Sequence, residues 1–412
     1  MLKNYLWVAS KVYWRRKMFT AINLLCIVLT LVVLLTVTAI LEHSFSPSGV
    51  EAKSDRFLQV DSVIFYEQGD NVMQSGLGYR LIQQYLKPMK SAQLVGTVSN
   101  ARPVAVYQDQ HVEKLSMAYA DAAFWQVMDF KLLAGRLFNE DDVAQGRFVV
   151  VINASTAKKL FNDTAVVGKK INVLNQQFEI IGVVADAYQT YSSDAMWAPI
   201  TTIPSGDFRT QLTGDFTAFL MAANSSGVSA MRKEVWEIGR KLVQEDPAQW
   251  QRTAMVANTR LDSFARGFSS DGMSEDSGAA QVLVWVVILM FLFMLLPALN
   301  LVNLNLGRMM ERSAEIGVRK AFGATRWQLT AQFLIENIFL SLLGCLIALG
   351  LTHGLLTWIS QSGIIPYLQL GVNWTVFMYG MLTTTVFGLV SGVLPAWRMA
   401  RLDPVLALKG NA

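Results

Sequence analysis

Residues 311–325 read ERSAEIGVRKAFGAT, a charged, glycine-punctuated stretch held between two runs apolar enough to cross a bilayer. Taken as a helix over 313–322, it sets Ile316, Lys320 and Gly323 on one side and spreads Glu315, Val318, Arg319 and Phe322 around the rest. Neither face is cleanly apolar, a pattern that fits a docking surface and not burial in lipid.

Working outward, four runs meet the length of about 20 apolar residues needed for a hydrocarbon core of about 30 Å. Runs 18–41, 281–306 and 374–394 carry no charge, and 330–356 carries only Glu336. The glycines of the last run permit close helix packing. The first run, 24 residues long with no small-residue cleavage site after it, reads as an uncleaved anchor and not a signal peptide. A mean hydropathy of +0.33, with 52% hydrophobic and 16% charged residues, fits a membrane protein with one substantial water-soluble part. That part is 42–280.

Basic residues set the expected orientation. Lys3, Lys11, Arg15, Arg16 and Lys17 precede the first run without an acid, 307–329 holds five more, and 395–412 holds Arg398, Arg401 and Lys409. The loop 357–373 has neither Lys nor Arg. By the positive-inside rule both termini and 307–329 are cytoplasmic, and 42–280 and the short loop lie outside. Segment 1–17, with Leu2, Tyr5, Leu6, Ala9 and Val12 at helical spacing, reads as a cytoplasmic interfacial helix resting on membrane lipid. The outer part is mildly acidic, with 22 basic and 26 acidic residues over 43–280.

Two strand-helix-strand patterns sit at the ends of the outer part. One is a strand over 57–66, a helix through Leu77, Leu81, Ile82, Tyr85 and Leu86, and a strand over 93–98. The other is a strand over 216–222, a helix through Val228, Met231, Val235, Ile238 and Leu242, and a strand over 253–258. They are expected to pack into one α+β lobe, with about 100–213 inserted as a β-rich lobe whose strands lie at 148–152, 170–174 and 178–184. The one helix expected there is 155–161. Segment 267–278 reads as a linker into the second span.

Motifs exclude several chemistries. Gly168-Lys169-Lys170 lacks the spacing and Ser/Thr of a phosphate-binding loop, and no nucleophile elbow or kinase signature is present. His43, His111 and His353 are scattered, and Cys26 and Cys345 both lie in apolar runs, so neither a metal site nor a disulfide framework is indicated. Glu140, Asp141 and Asp142 read as a solvated turn. Within the spans, Glu336 is expected near the inner interface, paired with a basic residue of the cytoplasmic segment. Asn300 and Asn303 are packing polar groups, and Pro297 is a hinge where the helix loses a hydrogen bond.

The run RSAEIGVRKAFGATRWQLTAQFLIENIFLSLLG and the later FGLVSGVLPAWRMARLDPVLAL resemble the permease core of the MacB/FtsX-like (type VII) family of ABC transporters. FKLLAGRLFNEDD, VVVINASTAKKLF and VGKKINVLNQQFEIIGVVAD resemble that family's extracytoplasmic domain, so the likeness covers most of the chain in order. It implies an α-helical membrane protein of four transmembrane helices with a large α+β extracytoplasmic domain, a porter-like lobe carrying an inserted sabre-like lobe. By the same resemblance Glu315, Ile316, Gly317, Val318, Arg319, Lys320, Gly323 and Ala324 form the ATPase-coupling element. The chain binds no cofactor and does no chemistry itself, while ATP and Mg are held by two copies of a separate ABC ATPase subunit. A second permease copy or a paralogue completes the pair; a periplasmic adaptor and outer-membrane channel are further candidate partners, and nucleic acid is not one. The implied work is mechanotransmission in the inner membrane, for export of a peptide, drug or other amphiphile from the periplasm. The alternatives are an FtsX-like regulator of a cell-wall hydrolase and a lipoprotein-releasing permease.

Overall fold

The computed structural model describes residues 17–46, 49–67, 71–108, 111–186, 195–268, 274–293, 295, 318, 322–362 and 370–400. The expected interfacial helix up to residue 16, the second-span residues Pro297, Asn300 and Asn303, and the tail from 401 lie outside them. The chain divides into two compact units. One is built on His43–Val282; the other comprises Met1–Glu42, Leu283–Ile365 and Gln369–Ala412.

The second of these is helical. Helix α1 covers Lys17–Phe45. By length and composition, Thr20–Phe45 and Thr330–Gln361 are long and apolar enough to cross a membrane. The latter belongs to a 36-residue helix, Arg326–Gln361, and a 27-residue helix spans Trp374–Ala400. A shorter apolar helix covers Ala279–Phe293. Ile27, Val28, Leu31 and Leu35 of α1 pack with Cys345, Ala348 and Phe377. Gly344 lets α1 approach closely, since a Cβ there would lie 2.6 Å from Ile27 Cγ2. Asn373, just before the last helix, donates to both carboxylate oxygens of Glu42 at 2.6 Å, so the end of α1 lies beside the start of that helix and the two run antiparallel.

In the unit built on His43–Val282, the stretch expected as one strand over 57–66 divides at Asp61-Ser62. Its first half is β1 (Phe57–Val60), and its second half, β2 (Val63–Glu67), belongs to another sheet with β3 (Val72–Ser75) and β13 (Trp250–Met255). Ser62 donates to its neighbour Asp61 at 2.9 Å, so local side chains occupy the crossing in place of ladder bonds. β1 pairs antiparallel with β12 (Phe216–Met221), and β12 with β4 (Leu94–Ser99). The two terminal patterns therefore share one sheet, packed by the turns Tyr79–Leu81 and Ile82–Leu86 and by helix Val228–Lys241. Met231, Val235 and Gly239 recur every four residues on the buried side of that helix, the period that lines up one face.

The inserted stretch is not a separate sheet. β6 (His111–Ala120) pairs with β5 (Arg102–Gln108) over seven residue pairs and with β11 (Met196–Pro199), and one further pair, Val98↔Ala120, joins it to β4. From β11 the ladder passes to β8 (Val149–Asn153), β10 (Gln176–Val184) and β9 (Lys170–Val173), then returns to β5. β6, β5, β11, β8, β10 and β9 close into a ring, which removes their edges, while β7 (Leu132–Gly135) pairs with β10 off the ring. Inward residues such as Val106, Ile152, Phe178 and Ile180 form a second core. Helix Ala154–Phe161 follows β8, near the expected place.

The acidic triplet departs from expectation. Glu140–Ala144 is a short helix with a capping box between Asn139 and Asp142, and Asp142 is fully buried. Arg136 Nη2 donates to it at 3.0 Å and Arg147 Nη1 at 3.2 Å. The hydrogen bond from Arg136 leads the forces that hold this carboxyl at about 2, outweighing the cost of burial. The sequence pattern showed the acids but not the two arginines that fold brings to one of them.

Trp197 of β11 is 1% exposed and stacks edge-on to Phe130 at 5.0 Å and Trp125 at 5.8 Å. Trp197→Ala should cost about 3–5 kcal/mol by opening a cavity in the aromatic cluster with Trp125 and Phe130, read as a lowered denaturant midpoint.

Candidate functional site

After α1 the chain enters the large domain through 43–51, and it leaves through 258–278 towards the next apolar helix. A buried ionic network ties the two passages together. Glu51 closes a 3-10 turn, Gly49–Glu51, and Arg260 opens helix Arg260–Arg266; they are 1% and 7% exposed and form an ion pair. Arg260 Nη1 also donates to Ser44 O at 3.2 Å, reaching back to the last turn of α1. The rings of Phe45 and Phe264 meet edge-on at 5.3 Å. Gln59 and Asn258 exchange backbone bonds of 2.9 and 2.8 Å.

Helix Arg260–Arg266 is positioned by Thr259, whose hydroxyl caps Asp262 N–H while the Asp262 carboxylate accepts from Thr259 N–H at 2.8 Å. That carboxylate also takes a 2.7 Å bond from Arg232 Nη2 and a bond from the Ser277 hydroxyl. Arg266 Nε donates to Asn258 Oδ1 at 2.8 Å and Nη1 to Ser274 O at 3.0 Å. Part of the expected 267–278 linker is thus hydrogen-bonded to the domain. Burial draws the Arg260 guanidinium down to about 10, still far above neutral, so it stays charged. Burial pushes Asp262 up, but the bonds from Arg232, Ser277 and Thr259 win and hold it at about 2. A buried pair that loses one member leaves an uncompensated charge, so removing either partner is costly. None of these residues stood out in the sequence, and only the Thr259-x-x-Asp262 capping spacing was there to be read.

Of the expected coupling residues, Glu315, Ile316, Gly317, Arg319 and Lys320 lie outside the described residues, while Val318, Gly323 and Ala324 lie within them. Phe322 N–H donates to Val318 O at 3.0 Å, a helical bond. Gly323 follows at φ +89°, and Thr325 caps the helix Arg326–Gln361 in a reciprocal box with Gln328. The chain therefore turns through one left-handed residue and then starts a long helix. A Cβ at Gly323 would meet nothing within 4 Å, so the need for glycine there is conformational, not steric. Phe322 and Trp327 flank the elbow at 89% and 76% exposure. Within the helix, Glu336 is buried and accepts from Gln332 Nε2 at 3.1 Å, with Asn337 and Ser341 buried on the following residues.

A helical unit with two helices long and apolar enough for a bilayer, joined in sequence to a β-rich domain, is the layout of a membrane protein with a substantial domain outside the lipid. Residues 20–238 match the MacB-like periplasmic core domain and residues 287–404 the FtsX-like permease C-terminal domain. The chain belongs to the MacB/FtsX-like family of ABC transporter permeases.

It is 29% identical to the ABC transporter permease YknZ of Bacillus subtilis (strain 168), over 69% of this chain and 68% of that one. It is 26% identical to the macrolide export ATP-binding/permease protein MacB of Escherichia coli (strain K12), over 79% of this chain and 49% of that one. The chain thus spans about half the length of that MacB relative. Among solved structures, the periplasmic region of MacB from Actinobacillus actinomycetemcomitans aligns with 54% of this chain and 97% of its own at 17% identity, with a TM-score of 0.39.

Arg260→Met alone should lower stability by about 3–5 kcal/mol, and adding Glu51→Leu should restore most of it, because the pair is then replaced by packed apolar groups; a double-mutant cycle on denaturant midpoints reads the coupling. Asp262 carries its proton less readily folded than unfolded, so its contribution is complete above about pH 4 and fades as pH falls towards 2. Asp262→Asn should remove about 2 kcal/mol at pH 7 and flatten the acid limb of the stability curve, measured by unfolding across pH 2–6.

Proposed function

We propose that this permease is a mechanotransmitter: a separate ABC ATPase, two copies per assembly, drives the cytoplasmic elbow, and the motion is delivered to the extracytoplasmic domain. The single observation that carries this reading is the buried Glu51–Arg260 pair joining the chain's entry to its exit. A displacement delivered through one passage reaches the other without loss in a compliant linker, and both passages are bonded to the body of the domain. The elbow at Gly323 fits the input end, because a left-handed turn with flanking exposed aromatics offers a fixed shape and anchor side chains to a partner surface. Contact there is assigned to Glu315, Ile316, Gly317, Val318, Arg319, Lys320, Gly323 and Ala324.

In this reading the chain crosses the inner membrane four times with both termini cytoplasmic, by the distribution of its basic residues. It pairs with a second permease, a copy or a paralogue. Its output is export of a peptide, drug or other amphiphile from the periplasmic side. ATP can bias the two states only through its different affinity for them, realised in the partner ATPase.

Two variants separate transmission from folding. Gly323→Val forces a β-branched residue into a left-handed conformation at a cost of about 1–3 kcal/mol, and should cut substrate-stimulated ATPase activity of the reconstituted complex about tenfold or more while the outer domain keeps its unfolding midpoint. Glu51→Leu/Arg260→Met should leave the chain folded and the ATPase bound, yet reduce export. Full export by both variants, or failure of any ATPase to be retained on the wild-type chain after mild detergent extraction, would sink the reading.

A further inference from the structure

The ring of strands and the terminal sheet share β6, and they part where β4 hands over to β5 at Ser99–Arg102. At this joint the large domain forms a cavity of about 320 Å³. Its floor is apolar: Met117 and Tyr119 from β6, Phe216 from β12, and Ile203 and Phe208 from the returning segment. Its rim carries Arg102, Asp207 and Asp215.

The walls are set by backbone. Asn100 N–H bonds Asp215 O at 2.7 Å, Gly78 N–H bonds Leu212 O at 2.7 Å, and Gly214 N–H bonds Gly76 O at 3.1 Å. A Cβ on Gly78 would fall 2.1 Å from Gln211 O, so the returning strap lies closer than any side chain allows. The cavity is formed before a ligand arrives, which lowers the ordering cost of binding.

Its charges are unequal. Arg102 and Asp215 neutralise each other in an ion pair. Asp207 accepts from the Ser205 hydroxyl at 3.0 Å and belongs to no ion pair among the described residues. Beside it lie the rings of Phe216 and Tyr119, whose faces attract cations, while the Phe208 ring already carries the Arg209 guanidinium 5.6 Å from its centroid. The Tyr119 hydroxyl is enclosed and has no hydrogen-bond partner among the described residues.

We propose that this cavity binds a small monocationic amphiphile, a protonated amine carried on a compact apolar body of about one ring. The amine meets Asp207 and the aromatic faces, and the apolar body covers Met117, Ile203 and Phe216. A volume near the lower end of ligand pockets, which run from about 300 to 1,000 Å³, sets the size. The occupant touches β6 of the ring and β12 of the terminal sheet at once, so it braces the joint between them. The site is separate from the elbow and from the Glu51–Arg260 junction, and the inference holds whether or not the chain exports anything.

The test is calorimetric titration of the full chain in zwitterionic lipid nanodiscs, with empty nanodiscs as reference. The probes are 2-phenylethylamine, neutral 2-phenylethanol and anionic 3-phenylpropanoate. The amine should bind about threefold more tightly than the alcohol, the scale of one exposed charge pair, with the carboxylate weakest. Asp207→Asn should bring the amine down to the alcohol's affinity and leave the alcohol unchanged, and Thr213→Trp, which fills the mouth, should abolish binding of both. Equal binding of amine and carboxylate, or an unaltered preference in Asp207→Asn, overturns the proposal. Should Thr213→Trp fail to fold, the exposed Asp207→Asn substitution decides alone.

Discussion

A guanidinium and a carboxylate withdrawn from water, Arg260 and Glu51, hold the place where the outer domain's chain begins to the place where it ends. Neither charge is tolerable there without the other, so the two passages can separate only at the cost of exposing both to solvent or stranding one. Around the pair, Asp262 gathers bonds from Arg232, Thr259 and Ser277, and Arg266 fastens the start of the following segment. A loop connection would absorb motion. The proposed lever rests on this bonded connection between the two passages.

Beyond the junction, β6 decides the shape of the domain. One end of this ten-residue strand pairs with β5 and the other with β4, so a single strand belongs to a closed ring and to an open sheet. The break at Ser99–Arg102 is where ladder bonds stop being shared, and a cavity is the geometric result of two curved surfaces diverging from one edge. Two hydrophobic cores form for the same reason: the ring fills its own interior, while Trp197 reaches out of it into the aromatic cluster of Trp125 and Phe130.

The elbow before the long helix is defined by a short stretch of sequence. Gly323 is left-handed, and Thr325 with Gln328 starts the long helix two residues later. On the helix side, the Thr325–Gln328 box satisfies backbone donors of the first turn locally.

Local chemistry was legible because it is written in neighbouring residues. The apolar runs correspond to helices Lys17–Phe45, Arg326–Gln361 and Trp374–Ala400, and the string around Gly323 carried the family resemblance that the matches over 20–238 and 287–404 bear out. Helix and strand periods located Val228–Lys241 and Gln176–Val184 to within a few residues. What depended on distant pairing was not legible. The strand over 57–66 splits between two sheets, the inserted strands close into a ring through β5 and β9, and Asp142 is buried by Arg136 and Arg147 when the chain alone showed only three acids in a row. Glu51 and Arg260 stand more than 200 positions apart, so nothing in either neighbourhood announces the other. Hydrophobic length and period act between residues a few places apart and are therefore set by sequence alone; sheet closure and charge burial act between residues brought together by folding, and only the tertiary structure decided them.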